Sequence, residues 1–255
     1  MKILAVGDIV GNNGVEKLKK HLKEIRKDKG IDFVIVNAEN SAEGMGITTK
    51  QYNQIVSENV DCITMGNHTF GKKDIFTLLE KPELIIPANY PNCVGKGYNI
   101  YKCLNKKIAV INLLGRVDIN ILTENPFLEA RKIIDNIKDK VDVIVVDFHA
   151  EATAEKIAFA NYLNGDATIV FGTHTHVQTA DERILPNGTA YITDLGMTGP
   201  KNSVIGMDIS ASVKRFATAL PEKYRIAEGE SILNAVVFDV DNLTNKVTKI
   251  ERIRI

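Results

Sequence analysis

Runs of β-branched residues alternate with amphipathic stretches along most of this chain. Residues 3–6, 33–36 and 61–65 are short and largely apolar, as strands buried on both faces are. Residues 108–113, 141–148 and 167–171 repeat the theme, and 84–88 is a further strand candidate. Between these runs the period changes. Val15, Leu18, Leu22 and Ile25 recur at helical spacing, which predicts a helix over 14–29 closed by Gly30. Helices are also predicted over 48–58, 126–137 and 151–163. Past residue 190 the character shifts to strands, at 190–192, 234–240 and 246–255, with no long helix between them. No repeat, low-complexity tract or linker interrupts the pattern. It predicts one α/β domain over 1–255 with a predominantly antiparallel C-terminal part.

The ends of the apolar runs carry the chemistry. Four of the five histidines fall in three blocks: Gly66-Asn67-His68, Asp147-Phe148-His149 and Gly172-Thr173-His174-Thr175-His176. Two further runs end in Gly7-Asp8 and Glu39-Asn40. Open α/β sheets bind ligands outside the carboxyl ends of their strands. Asp8, Glu39, Asn67, His149 and His174 can therefore converge although they span most of the chain. Taken singly, each block also fits something plainer: a His- and Thr-rich surface loop, a hydrogen-bonded histidine, a strand-end aspartate. Together they supply two carboxylates, two amides and four imidazoles. Oxygen and nitrogen donors without thiolate suit iron, manganese, zinc or magnesium rather than copper(I) or an iron–sulfur cluster. So many donors exceed the needs of one ion, and two ions sharing a carboxylate would use them. Paired ions of that kind act on phosphates by generating hydroxide and clamping the attacking and leaving oxygens.

Composition narrows the setting. Lys+Arg 32 against Asp+Glu 32 leaves no excess positive charge, which argues against long nucleic acid as a partner but not against a small nucleotide. Cys62, Cys93 and Cys103 are odd in number and lack C-x-x-C spacing, so neither a structural disulfide nor a zinc knuckle is expected. The N-terminus has too few apolar residues for a signal-peptide core, and no run is long enough to span a membrane. A cytoplasmic protein with no membrane partner is expected, and a homo-oligomer is compatible with these features.

Several strings resemble known proteins. Gly7-Asp8, Gly66-Asn67-His68 and Gly-x-His174-x-His176 look like blocks of the calcineurin-like metallophosphoesterases. The fuller strings at 7–11, 37–41, 172–179 and 194–199 are similar to the bacterial YmdB-type phosphodiesterases, which hydrolyse 2′,3′-cyclic nucleotides. The similarity runs from the first strand to about Met207. Val10 stands where the wider superfamily has a histidine, and Glu39 where it usually has aspartate; the YmdB-type group shares both departures. The resemblance implies a β-sandwich flanked by helices in α-β-β-α layers. It implies one metal held by Asp8, Glu39, Asn40 and His176, and a second by Glu39, Asn67, His149 and His174, with Glu39 bridging. Iron is the metal it implies, with manganese or magnesium as alternatives. It leaves His68 unligated, as general acid.

The resulting expectation is a phosphodiesterase that opens 2′,3′-cyclic nucleotides to 3′-nucleotides by a metal-bridging hydroxide, with His68 protonating the leaving 2′-oxygen. A phosphomonoesterase or short-RNA nuclease would use the same metal site. A metal-dependent nucleotide-binding regulator is the remaining alternative. Among the other residues, Asp147 is either a support for a metal ligand or a structural aspartate. Residues 193–200 form either a substrate-side wall or a plain Gly/Pro loop. Lys201, Arg116 and Arg183 are candidate phosphate contacts, and His21 is read as solvated.

Overall fold

The computed structural model describes residues 1–92, 94–223 and 225–255, so Cys93 lies outside the described residues. The chain begins with β1 (Lys2–Val6), β2 (Asp8–Ile9), α1 (Gly11–Lys29), β3 (Phe33–Asn37), α2 (Thr49–Val56), β4 (Cys62–Thr64) and α3 (Ile75–Leu78). It continues through β5 (Tyr98–Cys103), β6 (Lys106–Leu114), α4 (Pro126–Ile137), β7 (Val143–His149), α5 (Thr153–Tyr162) and β8 (Ile169–Thr173). The last part holds β9 (Arg183–Ile184), β10 (Ala190–Ile192), β11 (Met197–Pro200), α6 (Ile209–Thr218), β12 (Ser231–Ile232), β13 (Asn234–Val240) and β14 (Val247–Arg254).

Among the described residues these strands form two large sheets. One runs β14-β13-β1-β3-β4 and the other β5-β6-β7-β8-β10-β9, while β12-β11-β2 make a small third sheet. The inner strands of both large sheets are parallel, and β13 and β14 add antiparallel strands beside β1. That antiparallel C-terminal hairpin is the one the sequence predicts.

Strand periodicity explains the layering. Side chains alternate between faces, so a strand buried on both sides feeds two cores at once. In β1, Ile3 and Ala5 pack between the large sheets while Leu4 and Val6 face α1. In β7, Val143 and Val145 point inward while Ile144, Val146 and Phe148 meet α4 and α5. The result is the α-β-β-α sandwich expected. The helix α1 turns Val15, Leu18, Leu22 and Ile25 to the sheet, and Gly30 ends it in the left-handed conformation (φ 67°).

Four sequence expectations need correction. Residues 84–88 make only a bridge from Leu84 to Ile63, because successive backbone donors diverge: Ile85 to Ile63, Ile86 to Lys96, Ala88 to Asn112. Pro87 between them has no N–H to give. His21 is half-buried with an unpartnered Nε2, not fully solvated. Residues 193–200 are buried and cannot serve as an open wall; Met197–Pro200 is strand β11. Finally, α6 (Ile209–Thr218) occupies a stretch where no helix is predicted. The described cysteines Cys62 and Cys103 are free and buried, and no described helix is long and apolar enough to cross a membrane.

Candidate metal centre

The alternation that builds the inter-sheet core also builds the site. On β7 the inward positions continue past Val145 to Asp147 and His149; on β3 they reach Asn37, on β4 Thr64, on β6 Asn112 and on β8 Thr173. The sandwich interior thus turns polar at the carboxyl ends of its strands. These groups bond across the gap between the sheets. Asp147 accepts from Asn37 Nδ2 (3.2 Å) and Thr64 Oγ1, and Asn112 Oδ1 accepts from the Met65 amide at 3.1 Å. Burial raises the Asp147 carboxyl above its ordinary value, with His149 opposing.

Three histidines are held with one nitrogen outward and one inward. His149 Nδ1 lies 2.9 Å from Thr173 Oγ1, whose own proton goes to Asp147 Oδ1 at 2.6 Å. Thr173 must therefore accept from Nδ1–H, which leaves a lone pair on His149 Nε2 in the neutral ring. His174 Nε2 faces the Glu151 carboxylate at 3.0 Å, and His176 Nδ1 faces the Ile205 carbonyl at 2.8 Å. Both acceptors demand a proton, so His174 Nδ1 and His176 Nε2 carry the lone pairs. Outer oxygen acceptors that fix the tautomer in this way are the usual companions of metal-binding imidazoles.

The inward atoms crowd together. His149 Nε2 has Asn67 Oδ1 at 2.9 Å, Glu39 Oε1 at 3.0 Å and His174 Nδ1 at 3.0 Å. One ring nitrogen has at most one proton and cannot satisfy three lone-pair neighbours, whereas a cation among them could. Glu39, His149 and His174 offer ligand atoms all within 4.8 Å of one another. Asp8 adjoins this group: its Oδ2 accepts from the His174 amide, and its Oδ1, buried without a hydrogen-bond partner, lies 3.8 Å from His176 Nε2. Gly66 makes the crowding possible, since a Cβ there would sit 2.4 Å from both Glu39 Oε2 and His149 Nε2.

Electrostatics favour positive charge at this spot. Asp8 and Glu39 are fully buried. Burial raises the Asp8 carboxyl, with His176 and His149 opposing. Burial would also raise Glu39, yet His149 and His68 hold it well below the usual carboxylate range. Burial alone would lower His149, but Glu39, then Asp8 and Asp147, push it up to about 9. His174, buried beside that cationic ring, is lowered to about 3. Buried carboxylates and one unpartnered oxygen fit a bound cation, which would take the place of the His149 Nε2 proton and find three inward lone pairs.

The His174–His176 segment is strained and separately buttressed. His174 (φ 97°) and His176 (φ 66°) both adopt left-handed backbone, a conformation non-glycine residues enter only when their surroundings compel it. Lys156 supplies that compulsion. Its ammonium, 1% exposed, donates to the Thr173 carbonyl (2.8 Å) and to Asp194 Oδ2 (2.7 Å). The same carboxylate oxygen accepts from the Thr175 amide and hydroxyl. Residues 193–200 thus brace the loop from beneath. Lys156→Ala leaves Asp194 buried without its counter-charge, and is expected to lower unfolding stability by about 3–5 kcal/mol. A urea midpoint shift at unchanged slope measures it.

Asn40 and His68 sit on the open side. His68 Nδ1 lies 2.8 Å from Asn40 Oδ1 and 3.5 Å from Glu39 Oε1, and the His68 amide donates to Glu39 Oε2 at 2.8 Å. The Asn40 amide nitrogen faces Glu39 Oε1 (3.2 Å) and His176 Nε2 (3.1 Å). As placed, Asn40 offers its oxygen to His68 and not to the cluster; a half-turn of the amide exchanges the two atoms. All eight site residues predicted from the sequence therefore meet in one place. Glu151, Thr173, Lys156 and Asp194 were not among them, although Thr173 and Glu151 lie within or beside the histidine blocks. The basic residues do not join the cluster: Lys201 pairs with Glu230, Arg183 covers the Tyr191 ring and Arg116 is exposed.

A two-sheet sandwich between helical layers, with carboxylates, amides and imidazoles gathered at its strand ends, defines a calcineurin-like metallophosphoesterase fold. Within it, the chain belongs to the YmdB-like protein family, whose model matches residues 4–253. It is 48% identical over 257 residues to the 2′,3′-cyclic-nucleotide 2′-phosphodiesterase of Bacillus subtilis, covering all of this chain and 97% of that one. Crystal structures agree. A phosphatase from Mycoplasma pneumoniae superimposes with TM-score 0.95 at 40% identity, covering 100% of this chain and 93% of the other. A hypothetical protein from Thermus thermophilus gives 0.94 at 34% identity, covering 100% and 98%.

Proposed function

We propose that this protein hydrolyses phosphodiesters, with 2′,3′-cyclic nucleotides as substrates and 3′-nucleotides as products. The observation that carries this reading is His68. Its Nδ1 is fixed on Asn40 beside a cluster whose other three imidazoles turn lone pairs inward. Two ions would be held, one by Asp8, Glu39, Asn40 and His176 and the other by Glu39, Asn67, His149 and His174. Iron is the metal that family resemblance favours, and manganese or magnesium suits the same oxygen and nitrogen donors. When bound, such ions supply Lewis acidity that activates water and neutralises charge on the phosphoryl oxygens.

The chain's own groups do the rest. Glu39 and Asp8 keep the centre anionic, so it accepts cations and orients them. As an imidazolium, His68 donates Nδ1–H to Asn40 Oδ1 and holds a second, transferable proton on Nε2 for the substrate. Water adds to phosphorus, the P–O2′ bond breaks, and His68 gives that proton to the departing 2′-oxygen. The proton lost by the attacking water goes to solvent, solvent returns one to His68, and a 3′-phosphomonoester leaves.

Rates of the metal-loaded protein on a 2′,3′-cyclic nucleotide, a simple phosphomonoester and a short RNA test the reading. Fastest turnover of the cyclic nucleotide, with 3′-nucleotide as product, is expected. Faster monoester or RNA cleavage would reassign the substrate, and stoichiometric nucleotide binding without turnover would make the protein a regulator.

A further inference from the structure

Helix α6 leaves its apolar face uncovered. Ser212 is 1% exposed, while Val213 is 56% and Phe216 78% exposed. Ser212 and Phe216, four residues apart, share a face with Ile209 and Val213, so the helix holds an apolar stripe that lies open and a hydroxyl that is buried. Ser212 Oγ has no hydrogen-bond partner among the described residues. An unmatched buried hydroxyl is costly and calls for a ligand or a functional reason.

Both Ser212 and Phe216 line one cavity of about 490 Å³, together with Met45, His68, Ile205 and Met207. Its volume falls in the range of small-molecule sites. His68 forms part of its wall, so the cavity opens directly on the position assigned to the scissile phosphate. The remaining walls are the thioethers of Met45 and Met207, the aliphatic chains of Val204 and Ile205, and the Phe216 ring, with the Glu43–Lys72 ion pair (2.8 Å) on one side and Met45 and Ile205 about half-exposed at the rim. The cavity is tight on one side: a Cβ on Gly44 would sit 2.9 Å from Met207 Cε. Polarizable sulfur and an aromatic face suit a flat heteroaromatic ring, and the Ser212 hydroxyl with the paired Glu43 and Lys72 suits that ring's polar edge.

We propose that this cavity is the nucleobase subsite, with Phe216, Met45 and Met207 packing on the base and Ser212 Oγ hydrogen-bonding its edge. The inference rests on the cyclic-nucleotide reading above and adds the residues that would set base preference. One ribose separates base from phosphate in the substrate, and the cavity lies beside His68 accordingly.

The experiment has two arms. In metal-loaded enzyme, kcat/KM is compared for 2′,3′-cyclic nucleotides and for a base-free 2′,3′-cyclic ribose phosphate. Phe216→Ala is expected to lower the preference for the base-bearing substrate about tenfold, the usual cost of losing one aromatic stacking partner. Ser212→Ala is expected to change the order of rates among the four bases. An unchanged preference in Phe216→Ala, with an unchanged order in Ser212→Ala, overturns the subsite. The second arm measures binding of a nucleoside 3′-monophosphate by titration, without turnover. Weakening of about tenfold in Phe216→Ala supports the subsite, and equal affinity in both proteins overturns it. Wild-type protein that hydrolyses neither diester but binds the nucleotide through Phe216 would refute the hydrolase reading and leave the subsite standing.

Discussion

Replacing His68 with alanine is expected to lower kcat on a 2′,3′-cyclic nucleotide by about 10²–10⁴-fold, the range associated with a lost general acid. Metal content by elemental analysis should stay unchanged, because His68 Nδ1 bonds to Asn40 and its ring is not part of the inward crowd around His149. The loss should depend on the leaving group. A 2′-alkoxide needs a proton to depart, whereas p-nitrophenolate leaves readily without one. His68→Ala should therefore cleave a p-nitrophenyl diester with a much smaller deficit. An equal deficit on both substrates would make His68 a binding or structural residue, and no deficit would remove it from the chemistry.

Glu39→Gln should fail in the opposite way. The substitution keeps shape but removes the buried charge to which His149 and His68 are both turned. It also replaces one acceptor with an amide N–H aimed at either His149 Nε2 or the His68 backbone amide. Loss of an outer partner of a metal ligand typically costs about 10–100-fold in affinity. Loss of a carboxylate common to both proposed sites should cost more. The purified variant is expected to retain little metal, to be inactive on cyclic nucleotide and p-nitrophenyl diester alike, and to keep its fold by circular dichroism. Wild-type metal content in Glu39→Gln would refute the shared role. The pair of variants separates proton transfer, lost with metal retained, from assembly of the centre, lost with the metal.

The ease of reading differed along the chain for physical reasons. Strands buried on both faces, such as β1 and β7, announce themselves as unbroken apolar runs. The helix α4 was legible end to end because Pro126 and Ile137 bracket a regular apolar stripe. In contrast, β5 alternates exposed and half-buried residues at the edge of its sheet, and its Tyr, Asn and Lys content carries no strong signal. Helix α6 was passed over although Ile209, Val213 and Phe216 recur at helical spacing behind the Asp208 cap. At the site, the residues facing the centre were legible because each follows a strand. Lys156 was not: within α5 it looks like any surface lysine, and only the fold brings Asp194 beneath it. Glu151 was passed over for a related reason, since its carboxylate acquires a purpose only where His174 turns back through left-handed backbone.

The bonds that cross the sandwich from Asn37 and Thr64 to Asp147, and from Met65 to Asn112, have a consequence for tolerance. Glu39 and Asn67 follow strands of one large sheet, and His149 and His174 close strands of the other. The spacing of the donors is thus a gauge of the gap between two independent slabs. Phe33 and Phe238 on one slab and Phe171 on the other pack between the sheets and act as shims that set this gap. A change in their bulk would reach the centre as a shift in donor spacing, so a purely apolar substitution in the core can present as a catalytic defect.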